Sequence, residues 1–153
     1  MITQEYLKTL FDYKNGQLFW KINRGSNKTQ DKKAGCVDGV GYQCIGIDGK
    51  VYRAHRLIWI WHNGNIDNNL QIDHIDRNRL NNQIDNLRLV TLSENQWNRK
   101  AKGTSYHKRS NTWNAKIQAF GKRHSLGYFE TEHEAHEAYL YAKNNLHNIE
   151  SRL

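Results

Sequence analysis

Apolar and polar residues change their period several times along this 153-residue chain, and each change marks an element. In "ITQEYLKTLFDY" apolar side chains fall at positions 2, 6, 7, 10 and 11, a helical period, with Thr3 placed to cap the first turn. "NG" at 15–16 opens "QLFWKI"; "GYQCIGI" and "KVYRAH" follow, joined by "DG" at 48–49. Asx-Gly between alternating runs predicts hairpins, so residues 1–52 read as a short helix plus a small antiparallel meander. "RAHRLIWIWHNG" predicts a second helix that ends at Gly64, because glycine tolerates the left-handed terminating conformation. "LQID" and "NLRLV" then predict two short strands around a polar loop at 76–85. Thr91 with Glu94 predicts a capping box and a helix running to about Lys100.

After Gly103 the alternation lengthens. Trp113, Ala115, Ile117 and Ala119 alternate with Asn114, Lys116 and Gln118, the period of a half-buried strand. In "RHSLGYF" His124, Leu126 and Tyr128 alternate with Arg123, Ser125 and Gly127, and "GK" at 121–122 supplies the hairpin. Thr131 and Glu134 form a second capping box, after which Ala135, Ala138, Tyr139, Ala142 and Leu146 recur at helical spacing. This pattern predicts a three-stranded sheet backed by one helix. The uncovered face would carry Ser105, His107, Arg109, Asn114, Lys116, Gln118 and Arg123. The chain thus reads as an α+β protein in three parts: a small N-terminal antiparallel β module at 1–52, a strand–loop–strand–helix core at 53–101, and a sheet-plus-helix domain at 102–153. The middle part is too small to build a large core alone; units of this size are usually stapled by a metal or by flanking modules.

Charge narrows the partners. Lys and Arg number 23 against 15 Asp and Glu, for a net charge of +8 and a pI near 9.5, which suits a polyanion such as nucleic acid. The excess is local: no Asp or Glu occurs from Asn95 to Phe129, where Arg99, Lys100, Lys102, Lys108, Arg109, Lys116, Lys122 and Arg123 all fall. The longest apolar run, "LIWIW", is too short to cross a bilayer, and Met1 leads into a polar amphipathic segment. Cys36 and Cys44 lie on strand-like segments without a C-x-x-C pair, which predicts neither a zinc site nor a disulfide and suits a cytoplasmic protein.

The polar stretch at 73–98 carries the candidate chemistry. Asp73 and His74 close a strand, and the helix begun at Thr91 presents Asn95 and Asn98 three residues apart. Paired strands would fold that helix back beside Asp73 and His74, gathering a carboxylate, an imidazole and a carboxamide oxygen. Mg²⁺ takes oxygen ligands and needs only one or two from the protein, which Asp73 and Asn95 supply. His74 is then available as general base on a water, giving a phosphodiester-hydrolysing site. On spacing alone the same residues also fit loop and helix-end hydrogen bonders, with His74 merely packing.

"IDHIDRNRLNNQIDNLRLVTLSENQWN" resembles the HNH endonuclease motif, in the form of phage and intron-encoded homing-type enzymes. The resemblance implies a ββα-metal fold and cutting or nicking of DNA with one divalent ion. By position, His74 is the first His and general base, and Asn86 is the middle Asn that holds the loop and helps orient the His. Asn95 stands where many members carry a third His, and Asp73 is the acidic residue that pairs with it on the metal. An Asn there favours Mg²⁺ or Mn²⁺ over zinc. Asn98 is a further candidate ligand or phosphate contact. His55, Arg56 and His62 on the preceding helix, and Arg77 and Arg79 in the loop, are lesser candidates for phosphate.

"TSYHKRSNTWNAKIQAFGKRHSLGYFETEHEAHEAYLYAKNNL" resembles the ethylene-response-factor type of DNA-binding domain, which lays its sheet in the major groove. The resemblance implies that Arg109, Lys116 and Arg123 contact phosphate or guanine and that Asn114 or Gln118 reads adenine, with His107 as a further contact. Plant members carry mostly Arg and Trp at these positions, so no target sequence is implied. The expected protein is a monomeric, metal-dependent nuclease of double-stranded DNA. The alternative is a non-catalytic, sequence-specific DNA-binding protein on a vestigial HNH scaffold, with an RNase or structured-RNA binder as a weaker third reading.

Overall fold

The computed structural model describes residues 2–24, 28–98 and 102–147. They form two compact units that divide between Asn95 and Gln96.

The first unit opens with α1 (Gln4–Leu10), whose first turn is capped by the Thr3 hydroxyl accepting from the Tyr6 amide. The helix stops at Leu10, earlier than the apolar spacing suggests. Phe11 already has extended backbone and starts β1 (Phe11–Lys14), which pairs with β2 (Gln17–Trp20). Two features pull Phe11 into a strand. Asn15 and Gly16 both have positive φ (48° and 76°), as a two-residue hairpin turn requires, and the Phe11 ring meets that of its register partner Trp20 at 4.3 Å. A second sheet joins β3 (Cys36–Val37), β4 (Gln43–Ile47) and β5 (Lys50–Arg53), with Cys36 and Cys44 in facing positions on β3 and β4.

Next comes α2 (Ala54–Asn63), closed at Gly64, whose amide donates to the Ile60 carbonyl. β6 (Gln71–His74) and β7 (Leu87–Val90) pair antiparallel, linked by a polar loop that ends in a 3₁₀ turn at Ile84–Asn86. α3 (Leu92–Trp97) starts from the expected capping box: the Thr91 amide donates to the Glu94 carboxylate and the Glu94 amide to the Thr91 hydroxyl. Arg99 and Lys100, the expected end of that helix, lie outside the described residues.

One apolar core serves this whole unit. Leu7, Phe11, Leu18, Ile45, Leu57, Ile58, Ile72 and Leu87 are buried together, drawn from α1, β1, β2, β4, α2, β6 and β7. The β-rich segment before residue 52 and the strand–loop–strand segment after it therefore share their interior rather than packing as separate modules. A strand pair this small could not exclude water by itself.

The second unit is a sheet in the order β10-β9-β8, with β8 (Thr104–His107), β9 (Thr112–Ala119) and β10 (Lys122–Phe129). Across it packs α4 (Glu132–Leu146), begun by the Thr131–Glu134 capping box. Ile117, Leu126, Tyr139, Ala142 and Leu146 make its core. Gly103 lets the chain pass flat against Tyr139: a Cβ there would lie 2.0 Å from the ring. A β-bulge shifts the β9–β10 register between Ser125 and Gly127. The bulge resets the alternation, so Tyr128 leaves the side expected for it and faces out, 59% exposed.

Candidate active site

Asp73 and His74 end β6, where cross-strand pairing puts Asp73 opposite Arg88 and His74 opposite Leu87. Both polar side chains are buried. Nε and Nη2 of Arg88 converge on Asp73 Oδ2 at 3.0 and 2.9 Å, which orients the carboxylate and offsets the cost of burying it. His74 Nε2 lies 2.9 Å from Oδ1 of Asn82. An amide oxygen only accepts, so His74 Nε2 is the donor in this bond.

The asparagine-rich loop is folded on itself around Asp76. The Asp76 carboxylate accepts from the Asn78 amide, from Asn81 Nδ2 and from Asn86 Nδ2, each at 2.8 or 2.9 Å. The Asn81 amide, aided by the Asn78 backbone and by Asn86, holds this carboxyl below its ordinary range. Asn86 is the pin of the loop: its side chain also donates to the Asn81 carbonyl, its Oδ1 accepts from the Asp76 amide, and its backbone carbonyl accepts from Ile75. Short Asx side chains bonding the backbone two residues on are what make such a loop stiff without apolar core.

Asn95 approaches from α3, and its Nδ2 donates to Oε1 of Gln71 at the start of β6 (2.6 Å). That contact ties the helix to the strand and turns the amide oxygen away from Gln71. A carboxylate from β6 and a carboxamide oxygen from α3 are hard oxygen donors, so the residues present fit a hard divalent cation and not a sulfur- or imidazole-rich zinc site. Asn98 follows α3 in a turn.

Four side chains of this neighbourhood take places that the sequence pattern does not signal. Asn82 is one residue in an Asn-rich run, yet it is fully buried, and its Nδ2 has no partner among the described residues. His55, a lesser candidate for phosphate, turns inward instead: it is 5% exposed and meets His74 edge-on at 5.0 Å. Burial, with the charges of His74, Arg53 and Arg56, pushes its pKa down to about 3, so it stays neutral beside His74. His62 likewise packs edge-on against Tyr13. Tyr42 stands 6.4 Å from His74 and 5.5 Å from His55, ring to ring. Nothing local in the sequence signals these long-range meetings.

Earlier elements brace the loop from behind. The Tyr13 hydroxyl accepts from the Ile84 amide, and a Cβ on Gly16 would lie 2.9 Å from the Gln83 nitrogen, so the β1–β2 turn sits directly against the loop.

In the second unit, register gathers Ser105, His107, Asn114, Lys116, Gln118, Arg123, Ser125 and Tyr128 on the side away from the core. Lys116, Gln118, Arg123 and His107 are exposed, as is Arg109 in the β8–β9 turn. Asn114 is a correction. It lies between Ser105 and Tyr128 and is 3% exposed, with Nδ2 directed to the Gly127 carbonyl at 3.4 Å, so its amide is not offered to solvent. The bulge that turned Tyr128 outward supplies the bulky neighbour; the Tyr128 ring also meets His107 edge-on at 5.6 Å. Among the described residues no helix is long and apolar enough to cross a membrane.

Residues 52–97 match the family model described as HNH endonuclease. The chain is 40% identical over 85 residues to Protein 3.8 of Escherichia phage T7, which covers 50% of this chain and 70% of that protein. It is 35% identical over 106 residues to an uncharacterized HNH endonuclease of Acanthamoeba polyphaga mimivirus, covering 65% of this chain and about half of the relative, 54%. The HNH homing endonuclease I-HmuI, solved in a study of DNA binding and cleavage, is 25% identical with a TM-score of 0.45, over 72% of this chain and 67% of that one. Residues 52–97, which hold Asp73, His74, Asn86 and Asn95, are by this match an HNH endonuclease domain.

Proposed function

We propose that this protein is a metal-dependent DNA endonuclease of the homing type, in which residues 53–101 form the nuclease core and residues 102–153 an ethylene-response-factor-like reader of double-stranded DNA. The observation that carries this reading is the fixed imidazole: His74 Nε2 is bonded to Asn82 at 2.9 Å next to Asp73 on the same strand end, with Asn95 tied to that strand through Gln71. His74 acts as general base, taking the proton of the attacking water. Asn86 holds the loop through Asp76 and Asn81, which keeps His74 at the end of its strand.

Asp73 and Asn95 would hold one Mg²⁺ or Mn²⁺ ion. Bound there, the ion would stabilise charge on the phosphate and on the leaving 3′ oxygen. Arg88 aims the Asp73 carboxylate by holding one of its oxygens with two guanidinium donors. Arg109, Lys116, Gln118, Arg123 and His107 meet the duplex from the second unit, cations to phosphate or guanine and Gln118 to adenine. One catalytic centre per chain gives a nick from a monomer.

The binding-only alternative has one observation in its favour, because the Asp73–Arg88 pair is also what a purely structural carboxylate would make. Supercoiled plasmid incubated with the protein and Mg²⁺ or Mn²⁺ separates the two readings. Conversion to open circles that EDTA abolishes supports the nuclease. Retained DNA binding without conversion, on plasmids carrying a range of inserts, supports the alternative.

A further inference from the structure

Beside His74, the structure joins Arg79, until now a lesser candidate for phosphate, to Arg53 and Tyr42, which no role above uses. The segment "DGVGY" at 38–42 links β3 to β4, and Asp38 folds it tightly: Oδ1 accepts from the Val40 and Tyr42 amides at 2.9 and 2.8 Å. Gly41, with φ +88°, completes the turn and donates to the Asp38 carbonyl. The folded turn holds out two things, the Val40 carbonyl and the Tyr42 ring. Arg79 of the polar loop donates Nη1 to that carbonyl at 2.7 Å and sets its guanidinium 4.9 Å from the Tyr42 ring centre. Arg53, at the end of β5, sets its own guanidinium 4.1 Å from the same centre.

We propose that Arg53 and Arg79, held on Tyr42, form a phosphate-binding clamp that grips the DNA backbone next to His74. Two like charges on one ring repel each other. Neither has a carboxylate within ion-pair distance among the described residues; Asp38, which feels the charge of Arg53 from further off, has Oδ1 on two backbone amides and Oδ2 on the Cys44 thiol. Both arginines are exposed, and a guanidinium that uses one donor on Val40 still presents the rest of its fork. A polyanion that reaches both guanidinium groups offsets the repulsion and satisfies those donors. The His74 ring lies 6.4 Å from that of Tyr42, close enough for one phosphodiester backbone to meet both the arginines and His74. His55, neutral and wedged against Tyr42 and His74, fixes the spacing between clamp and base. Tyr42 and the turn that presents it lie before residue 52, so this part of the chain supplies DNA contacts as well as core.

The clamp rests on the nuclease reading only for its place next to the cut, and its test needs no cleavage. Affinity of the full chain for a short random-sequence duplex is measured by fluorescence anisotropy in EDTA over a series of salt concentrations. Arg53→Gln and Arg79→Gln are each expected to reduce the slope of log affinity against log salt by about one. Tyr42→Leu, which removes the platform, should match the double arginine variant, and Tyr42→Phe, which keeps the ring, should match the intact chain. Unchanged slopes in both arginine variants would overturn the clamp, as would equal behaviour of Tyr42→Leu and Tyr42→Phe. Circular dichroism melts identify a Tyr42→Leu chain that has not folded, and the two arginine variants then decide. An intact chain that never nicks plasmid but shows these slope changes defeats the nuclease reading and leaves the clamp standing; nicking with unchanged slopes does the reverse.

Discussion

The two units treat polar side chains in opposite ways. In the first, Asp73, His74 and Asn82 are withdrawn from water and bonded to side chains: Asp73 to Arg88, His74 and Asn82 to each other. In the second, Lys116, Gln118 and Arg123 stand on an open sheet face and make no side-chain hydrogen bond among the described residues. Chemistry needs groups fixed before the substrate arrives, so their ordering and desolvation costs are met in folding. Recognition of a charged polymer needs groups that stay hydrated until the polymer replaces the water and counter-ions. The same residue types therefore contribute differently: removal in the first unit should cost stability, and removal in the second should cost affinity.

The largest expected effect breaks that comparison if it fails. Arg88→Met strips a buried carboxylate of its cation and should destabilise the first unit by about 3 kcal/mol in urea unfolding, while Lys116→Met should move stability by less than about 0.5 kcal/mol. Equal effects would mean that the Asp73–Arg88 pair is as weak as a surface charge. Asn82→Ala comes next. It removes the acceptor of the imidazole proton and leaves a gap, and should cost about 2 kcal/mol together with roughly tenfold in cleavage rate. Rescue of the rate by Asn82→Gln, and not by Asn82→Leu, would distinguish positioning of His74 from simple packing.

The pH dependence of stability has a fixed sign. His55 in the folded chain takes a proton only near pH 3, whereas the unfolded chain takes it near the ordinary 6.5. Protons therefore favour the unfolded chain, and stability is lost as pH falls below 6.5, by up to about 1.4 kcal/mol per pH unit. His62 and His147, also lowered by burial, act in the same direction. Unfolding of His55→Phe between pH 6.5 and 4.5 should show a slope shallower by about one proton; an unchanged slope would mean that His55 is already open to water.

The smallest effects test the second unit against itself. Gln118→Ala, on the exposed face, should weaken DNA binding several-fold with a stability change within about 0.5 kcal/mol. Asn114→Ala, buried on the same face, should reverse the order, with about 1 kcal/mol lost in stability and little change in affinity.

Much of this arrangement was legible along the chain because it is local. Asx-Gly turns, capping boxes at Thr91 and Thr131, and the alternation from Trp113 to Ala119 each depend on neighbours a few residues apart. The local signal fails where two local readings compete or where distant segments decide. Phe11 fits both the helical stripe and a strand, and Trp20 across the hairpin settles it. Leu126 looks like one more alternating residue, and only the bulge reveals that the phase changes there. Asp73, His74, Asn86 and Asn95 could be picked out because their types and spacing form a pattern. Asn82 and Tyr42 could not, and His55 only as a phosphate contact, since their importance comes from meeting His74 across the fold.

The central claim is that His74 is a prepositioned base and not a packing residue. It is tested most directly by comparing the intact chain with His74→Ala on supercoiled plasmid in Mg²⁺ or Mn²⁺, with duplex affinity and melting temperature measured on the same samples. The account predicts that nicking falls by about 10²- to 10⁴-fold while affinity stays within about twofold and the chain stays folded. Nicking by His74→Ala at the rate of the intact chain would contradict it.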